Sequence, residues 1–93
     1  MHVAVLQIEI HIGSSLSLKD KRGVLKSIKD RMRKRFNVSV AEIAYQDKWQ
    51  RSVIAFAAVS SSKSLLDETM QKIFHQLDEE MNFEIVNHSF EYR

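Results

Sequence analysis

The 93-residue sequence contains no cysteine, no proline and only two glycines, Gly13 and Gly23. Without cysteine, the chain cannot form disulfides, thiolate nucleophiles, iron–sulfur clusters or thiolate zinc sites. Two isolated glycines cannot build a glycine-rich phosphate-binding loop. The longest apolar run, residues 53–59, is too short to span a bilayer, and no secretory signal pattern is visible. We therefore expect a cytoplasmic protein that does not bind membranes.

What the sequence does contain is typical of one folded domain. Hydrophobic residues make up 44% and charged residues 28% of the chain, which argues against disorder. The length suits a single domain over residues 1–93, and we find no linker, repeat or low-complexity stretch.

Hydrophobic periodicity alternates between the strand and helix periods along the chain. A first strand is predicted over 3–12, and a helix capped by Ser17 with Asp20 runs to about Asn37. Two strands over 38–46 and 49–60 are joined at Asp47-Lys48 as a hairpin. A second helix, with Ser64 and Asp67 as its cap pattern and an apolar stripe ending at Met81, precedes a last strand over 83–92. The order β-α-β-β-α-β predicts a split βαβ fold, an α+β class with a four-stranded antiparallel sheet and both helices on one face.

The hairpin also predicts which side chains share a sheet face. A two-residue turn pairs Gln46 with Trp49 and leaves Glu42, Trp49 and Arg51 on the open face, where Glu42 can pair with Arg51. The open face then also carries Val38, Val40, Val53, Ala55, Ala57 and Val59. The opposite set is expected to cover the helices: Ala41, Ile43, Tyr45, Ile54 and Phe56.

Groups that could perform catalysis are scarce. The four histidines lie on four separate elements with no metal-ligand spacing between them, and the Glu79-Glu80 pair falls at a helix end. We therefore expect neither an enzyme nor a metal or small-molecule cofactor site.

The first helix concentrates positive charge. Residues 19–35 hold nine basic and two acidic residues, although the whole chain carries only +2. At 100° per residue, five of the basic side chains fall within one arc of about 80° beside the apolar face. Lys19, Lys21 and Arg22 lie in the first turn, where cations oppose the helix dipole. This pattern favours a polyanion such as RNA as partner. The basic stripe consists of Lys19, Arg22, Lys26, Lys29 and Arg33.

Two other interpretations remain open. Acidic side chains of the second helix could neutralise the first: Asp78, Glu79 and Glu80 at one end, and Asp67 and Glu68 at the other. Separately, a partly apolar open sheet face is typical of a protein contact, here a two-fold dimer.

Three segments resemble a known family. They are residues 17–22 (SLKDKR), 36–42 (FNVSVAE) and 47–51 (DKWQR), and together with the rest of the chain they are similar to the bacterial YlxP-like family of small domains. The resemblance implies a ferredoxin-like fold. It also implies a role around the ribosome, because members are commonly encoded near transcription-elongation, translation-initiation and ribosome-maturation genes. It implies no catalytic residues.

The leading hypothesis is a non-enzymatic accessory protein that binds structured RNA, of ribosomal origin, through the first helix. The alternative is a homodimeric module that uses the open sheet face and makes no RNA contact. The expected RNA-binding residues are Lys19, Lys21, Arg22, Lys26, Lys29, Arg33, Trp49 and Arg51.

Overall fold

The computed structural model describes residues 1–93 as four strands and two helices. In chain order these are β1 His2–His11, α1 Leu18–Arg35, β2 Ser39–Ala44, β3 Arg51–Ser60, α2 Lys63–Asp78 and β4 Glu84–Tyr92. The strands form one sheet in the order β2-β3-β1-β4, and every neighbouring pair is antiparallel. The predicted βαββαβ ferredoxin-like arrangement is confirmed. Neither helix combines the length and apolar character that crossing a membrane requires.

The helix boundaries follow from local hydrogen bonding. Ser17 caps α1 by accepting a hydrogen bond from the Asp20 amide at 3.0 Å, while the Asp20 carboxylate accepts one from the Leu16 amide, also at 3.0 Å. The cap of α2 is Ser62, whose hydroxyl accepts from the Leu65 amide at 3.3 Å. The predicted cap Ser64 instead lies inside the first turn.

The core fills the space between one sheet face and the two helices. Alternate residues of β1 and β3 meet the apolar stripes of the helices there, as the two periodicities predict. Met81 lies outside this core and is fully exposed, because α2 ends at Asp78. The buried helix side chains are Leu25, Ile28 and Met32 from α1, and Leu66, Met70, Ile73 and Leu77 from α2.

The sheet faces agree with the prediction for β3 but not for β2. Ile54 and Phe56 are buried under the helices, as expected. In β2, however, Val40 pairs with Phe56 and is buried, while Ile43 is 45% exposed. The stretch Ser39–Glu42 is therefore paired one residue away from the register that a Gln46–Trp49 pair implies, and its side chains lie on the faces opposite to those predicted. Ala44 follows a register shift and pairs with Val53, so it keeps its predicted face. In β2, Ser39, Ala41 and Ile43 lie on the open face, while Val38, Val40 and Glu42 face the helix layer.

Strand β4 is fastened to α2 by a hydrogen bond between side chains. The Tyr92 hydroxyl donates to the carboxylate of Asp67. Burial raises the pKa of Tyr92 to about 12, and the hydrogen bond to Asp67 acts in the same direction. Asp67 is thereby engaged by the sheet rather than by the basic end of α1.

Candidate nucleic-acid interface

The two flanks of α1 face different surroundings. On one flank, Arg31 pairs with Glu80 and the Arg35 guanidinium donates to Gln76 Oε1 at 2.8 Å, so this flank faces α2. On the other flank, Arg33 donates to the Val40 carbonyl of edge strand β2 at 3.0 Å. Because the basic stripe shares the flank of Arg33, it lies along the β2 edge of the molecule and away from α2.

Most of the basic stripe is free of carboxylates. Lys19 and Arg22 are exposed and Lys29 is half-buried, and none of the three forms an ion pair or side-chain hydrogen bond. Lys26 pairs with Asp30 at 2.7 Å, where the hydrogen bond from Lys26 lowers the pKa of Asp30. Exposed pairs of this kind contribute little to stability and give way readily to a competing phosphate. The stripe therefore keeps its positive potential.

Neutralisation by α2 does not reach the stripe. The Glu80 carboxylate is used by Arg31, on the opposite flank, and Glu68 pairs with Lys72 of its own helix at 2.9 Å. Compensation by the carboxylates of α2 thus applies to Arg31 and leaves the stripe unaffected.

Lys21 is the main correction to the predicted site. Its side chain is buried, with 1% of the residue exposed, and its ammonium pairs with Glu42 at 2.9 Å. The same ammonium donates to the carbonyls of Tyr45 at 2.7 Å and Arg51 at 3.2 Å. Lys21 cannot contact an external phosphate, so its predicted exposure is wrong. The spacing from Lys21 to Leu25 and Ile28 (i, i+4, i+7) places it on the buried face and could have revealed this.

The Lys21 ammonium fixes the β2–β3 loop to the start of α1. The Glu42 carboxylate also accepts a hydrogen bond from the buried Ser52 hydroxyl at 2.7 Å, so both charged groups of the ion pair have further hydrogen-bond partners. Tyr45 has a φ of +62°, a left-handed conformation that residues other than glycine seldom adopt. The hydrogen bond that its carbonyl accepts from Lys21 holds it there.

Trp49 and Arg51 have different surroundings although both were predicted to contact RNA. Trp49 is 56% exposed. The Arg51 guanidinium lies 4.1 Å from the centre of the Tyr45 ring and pairs with Glu9 at 2.8 Å. The hydrogen bond with Glu9 raises the pKa of Arg51. The predicted Glu42–Arg51 pair is wrong, because Glu42 points to the helix side and Arg51 to the open face.

A cavity of about 410 Å³ adjoins Trp49 at the end of the sheet. Its shape is maintained by Gln50, whose amide donates to the carbonyls of Gly13 at 3.2 Å and Ser15 at 3.1 Å. Of its lining residues, only Trp49 and Arg51 were predicted from the sequence to contact a ligand. The signal that could have revealed the whole cavity is the segment DKWQR (residues 47–51), in which charged and amide side chains surround one tryptophan. The lining residues are His11, Asp47, Lys48, Trp49, Gln50 and Arg51.

The histidines do not assemble a metal centre. No three of the His, Asp and Glu side chains converge on a point where a metal ion could be held. His88 instead packs against Phe74, with ring centres 4.4 Å apart.

Comparison with known proteins gives the family. Residues 3–90 match the model of a family described as a protein of unknown function, DUF503. The chain belongs to the DUF503 family. It is also 42% identical over 76 residues to the uncharacterized protein YlxP of Bacillus subtilis (strain 168), which covers 82% of this chain and 83% of that protein. The resemblance noted from three segments is confirmed, and the DUF503 match spans both the basic stripe and the Trp49 cavity.

Proposed function

We propose that this DUF503 protein is a non-enzymatic accessory protein that binds structured RNA, of ribosomal origin, through the exposed flank of α1. The observation that carries the proposal is the position of the basic stripe. It lies along the β2 edge, away from the carboxylates of α2, with Lys19, Arg22 and Lys29 unpaired. A row of cations without local partners is suited to binding a phosphate backbone.

The spacing of the basic stripe suits recognition of the shape of an RNA phosphate backbone. From Lys19 to Arg33 the stripe extends about 21 Å along one straight helix, since each residue adds 1.5 Å. Rigid spacing of this kind positions several phosphates at once without reading bases. Lys21 is not one of the proposed phosphate contacts, because its side chain is buried. The phosphate contacts are assigned to Lys19, Arg22, Lys26, Lys29 and Arg33.

The test is the salt dependence of RNA affinity. Replacing Arg22, Lys26 and Lys29 together by glutamine is expected to weaken binding to a structured ribosomal RNA fragment. The slope of log K against log[salt] should flatten by about two to three units, because up to three phosphate contacts are lost. Fluorescence anisotropy of labelled RNA at several salt concentrations measures both quantities.

A control variant removes the same formal charge elsewhere. Lys63, Lys72 and Arg93 are exposed and lie off the stripe, so their triple glutamine variant should keep most of the wild-type affinity and slope. Equal losses in the two triple variants, or no loss in either, would refute binding through α1.

A second candidate function is self-association through the open sheet face. In its centre, Val5 pairs with Ala57 and Ala41 with Ala55, and Val59 at its end is 60% exposed. The side chains in this centre are small and apolar, and the charged pairs Glu9–Arg51 and Glu91–Arg93 of the same face are each neutralised within the chain. An apolar centre of this kind is suited to contact with an identical copy.

Sedimentation velocity at low and high salt tests this second candidate. A dimer of apolar faces should persist at high salt and should be converted to monomer by Val53→Asp, which places a carboxylate in the contact. Ser61→Asp adds the same charge in an exposed loop outside the face and should leave the dimer intact. A wild-type protein that is monomeric at both salt concentrations excludes the dimer.

A further inference from the structure

The cavity beside Trp49 has features that phosphate binding along α1 does not use. It is about 410 Å³ in volume, it lies where β1 ends and β3 begins, and Trp49 is its one hydrophobic lining residue. We propose that this cavity holds a single unpaired base of the bound RNA, with a preference for guanine, stacked on the indole ring of Trp49. The inference rests on the proposed RNA-binding function and names the part of the RNA that this cavity recognises.

The β2–β3 loop is held in place by hydrogen bonds within the chain before any ligand binds. The Tyr45 carbonyl accepts hydrogen bonds from the buried Lys21 ammonium at 2.7 Å and from the Lys48 amide at 3.0 Å. Gln50 is tied to the β1–α1 connection by its side chain, and its carbonyl accepts from the Ile12 amide at 2.8 Å. An exposed aromatic ring on a fixed loop loses little conformational freedom on binding.

The side chains that line the cavity have the chemistry needed to bind a base. An exposed indole face stacks on any base, and unpaired bases are the part of RNA that aromatic side chains recognise. Next to it, the exposed Asp47 carboxylate has no hydrogen-bond partner within the chain and can only accept hydrogen bonds. Guanine offers two adjacent N–H donors on its Watson–Crick edge, which a carboxylate can accept together.

The cavity lies next to the start of the basic stripe. Lys21 joins the first turn of α1 to the loop, so Lys19 and Arg22 lie at the same end of the molecule as Trp49. Lys48, on the rim of the cavity, is exposed and makes no side-chain hydrogen bond or ion pair. An RNA held along the stripe can therefore extend an unpaired nucleotide to Trp49 while Lys48 contacts its phosphate.

The experiment uses the fact that Trp49 is the only tryptophan of the chain. The probes are an RNA hairpin with a guanine loop, the same hairpin with a uracil loop, and a blunt duplex of the same stem. The guanine-loop hairpin should quench the tryptophan fluorescence most, and the duplex should bind without quenching it. Equal quenching by all three probes, or none by any, would overturn the proposal.

Variants measured with labelled RNA complete the test. Trp49→Ala should reduce affinity for the guanine-loop hairpin about 5- to 150-fold, the range expected for one stacked base, and should leave duplex affinity unchanged. Trp49→Phe should restore much of the loss, because stacking is kept. Asp47→Asn should reduce the preference for guanine over uracil. An unchanged hairpin affinity in Trp49→Ala, or an unchanged preference in Asp47→Asn, would contradict the assignment.

Failure of this inference is distinguishable from failure of the proposed function. If the α1 triple variant loses duplex and hairpin binding while Trp49→Ala loses neither, RNA binding through α1 stands and the base-binding cavity is refuted. If the wild-type protein binds none of the three RNAs at low salt, both proposals are refuted together.

Discussion

Replacing Lys21 by methionine is expected to lower the free energy of unfolding by about 3–5 kcal/mol, because it leaves the Glu42 carboxylate buried without its counter-charge. The side chains of Lys21 and Glu42 are only 2% and 15% exposed, so water cannot readily take the place of the ammonium. The substitution also removes the donor to the Tyr45 and Arg51 carbonyls. Chemical denaturation monitored by circular dichroism measures the change.

A second variant separates the unpaired charge from lost packing. Adding Glu42→Gln to Lys21→Met removes the isolated carboxylate while an amide oxygen remains to accept the Ser52 hydroxyl. The double variant should therefore be more stable than Lys21→Met alone. If the free energy of unfolding of Lys21→Met lies within about 1 kcal/mol of the wild-type value, Lys21 is not the buried, paired residue described above.

Val40→Asp is expected to destabilise the fold by more than about 4 kcal/mol, because it places an unpaired carboxylate in the apolar core. Val40 is 6% exposed and belongs to the main core cluster, opposite Phe56 on β3. A loss of that size is a large share of the about 5–15 kcal/mol typical of small domains, so the thermal and urea midpoints should fall well below those of the wild type. Thermal and urea denaturation measure it.

The neighbouring position provides the matched control. Ala41 is exposed on the open face of β2, so Ala41→Asp should change the free energy of unfolding by no more than about 1 kcal/mol. The two variants differ by one residue along the strand and report directly on its register. If Ala41→Asp unfolds the protein and Val40→Asp does not, the register described here for β2 is wrong.

Much of the fold was predictable because its signals are local. The 3.6-residue spacing of Leu25, Ile28 and Met32 and the Ser17 cap define α1 without tertiary information. The alternation from Leu6 to Ile10 defines the buried face of β1 in the same way. The cap of α2 lies two residues from its predicted position, since residues 60–64 contain four serines and spacing alone does not choose among them.

The register of β2 could not be predicted because it depends on an unusual turn. Residues 45–50 form a six-residue connection in place of the expected two-residue turn, and Tyr45 adopts a positive φ without being glycine. An irregularity between Glu42 and Ala44 then shifts the pairing with β3. Both features are held by contacts with Lys21, which is distant in sequence.

In the candidate site, too, the features set by helical spacing were predictable, and those set by the packing of distant segments were not. Helical geometry alone places Lys19, Arg22, Lys26 and Lys29 on one flank, and the structure keeps them there. Which flank faces α2 depends on how α1 is rotated and offset against the sheet, and a single sequence does not give this. For the same reason Arg51, predicted to pair with Glu42 or to contact RNA, is held by Glu9 and Tyr45.

The hydrogen bond from Arg33 to the Val40 carbonyl has a consequence for the edge of the sheet. An edge strand presents backbone groups that can pair with a strand of another molecule, and natural proteins protect such edges with charged side chains. Here one guanidinium both covers the edge and belongs to the basic stripe. A phosphate that draws Arg33 away would uncover the Val40 carbonyl, and the edge of β2 would then be open to the addition of a further strand.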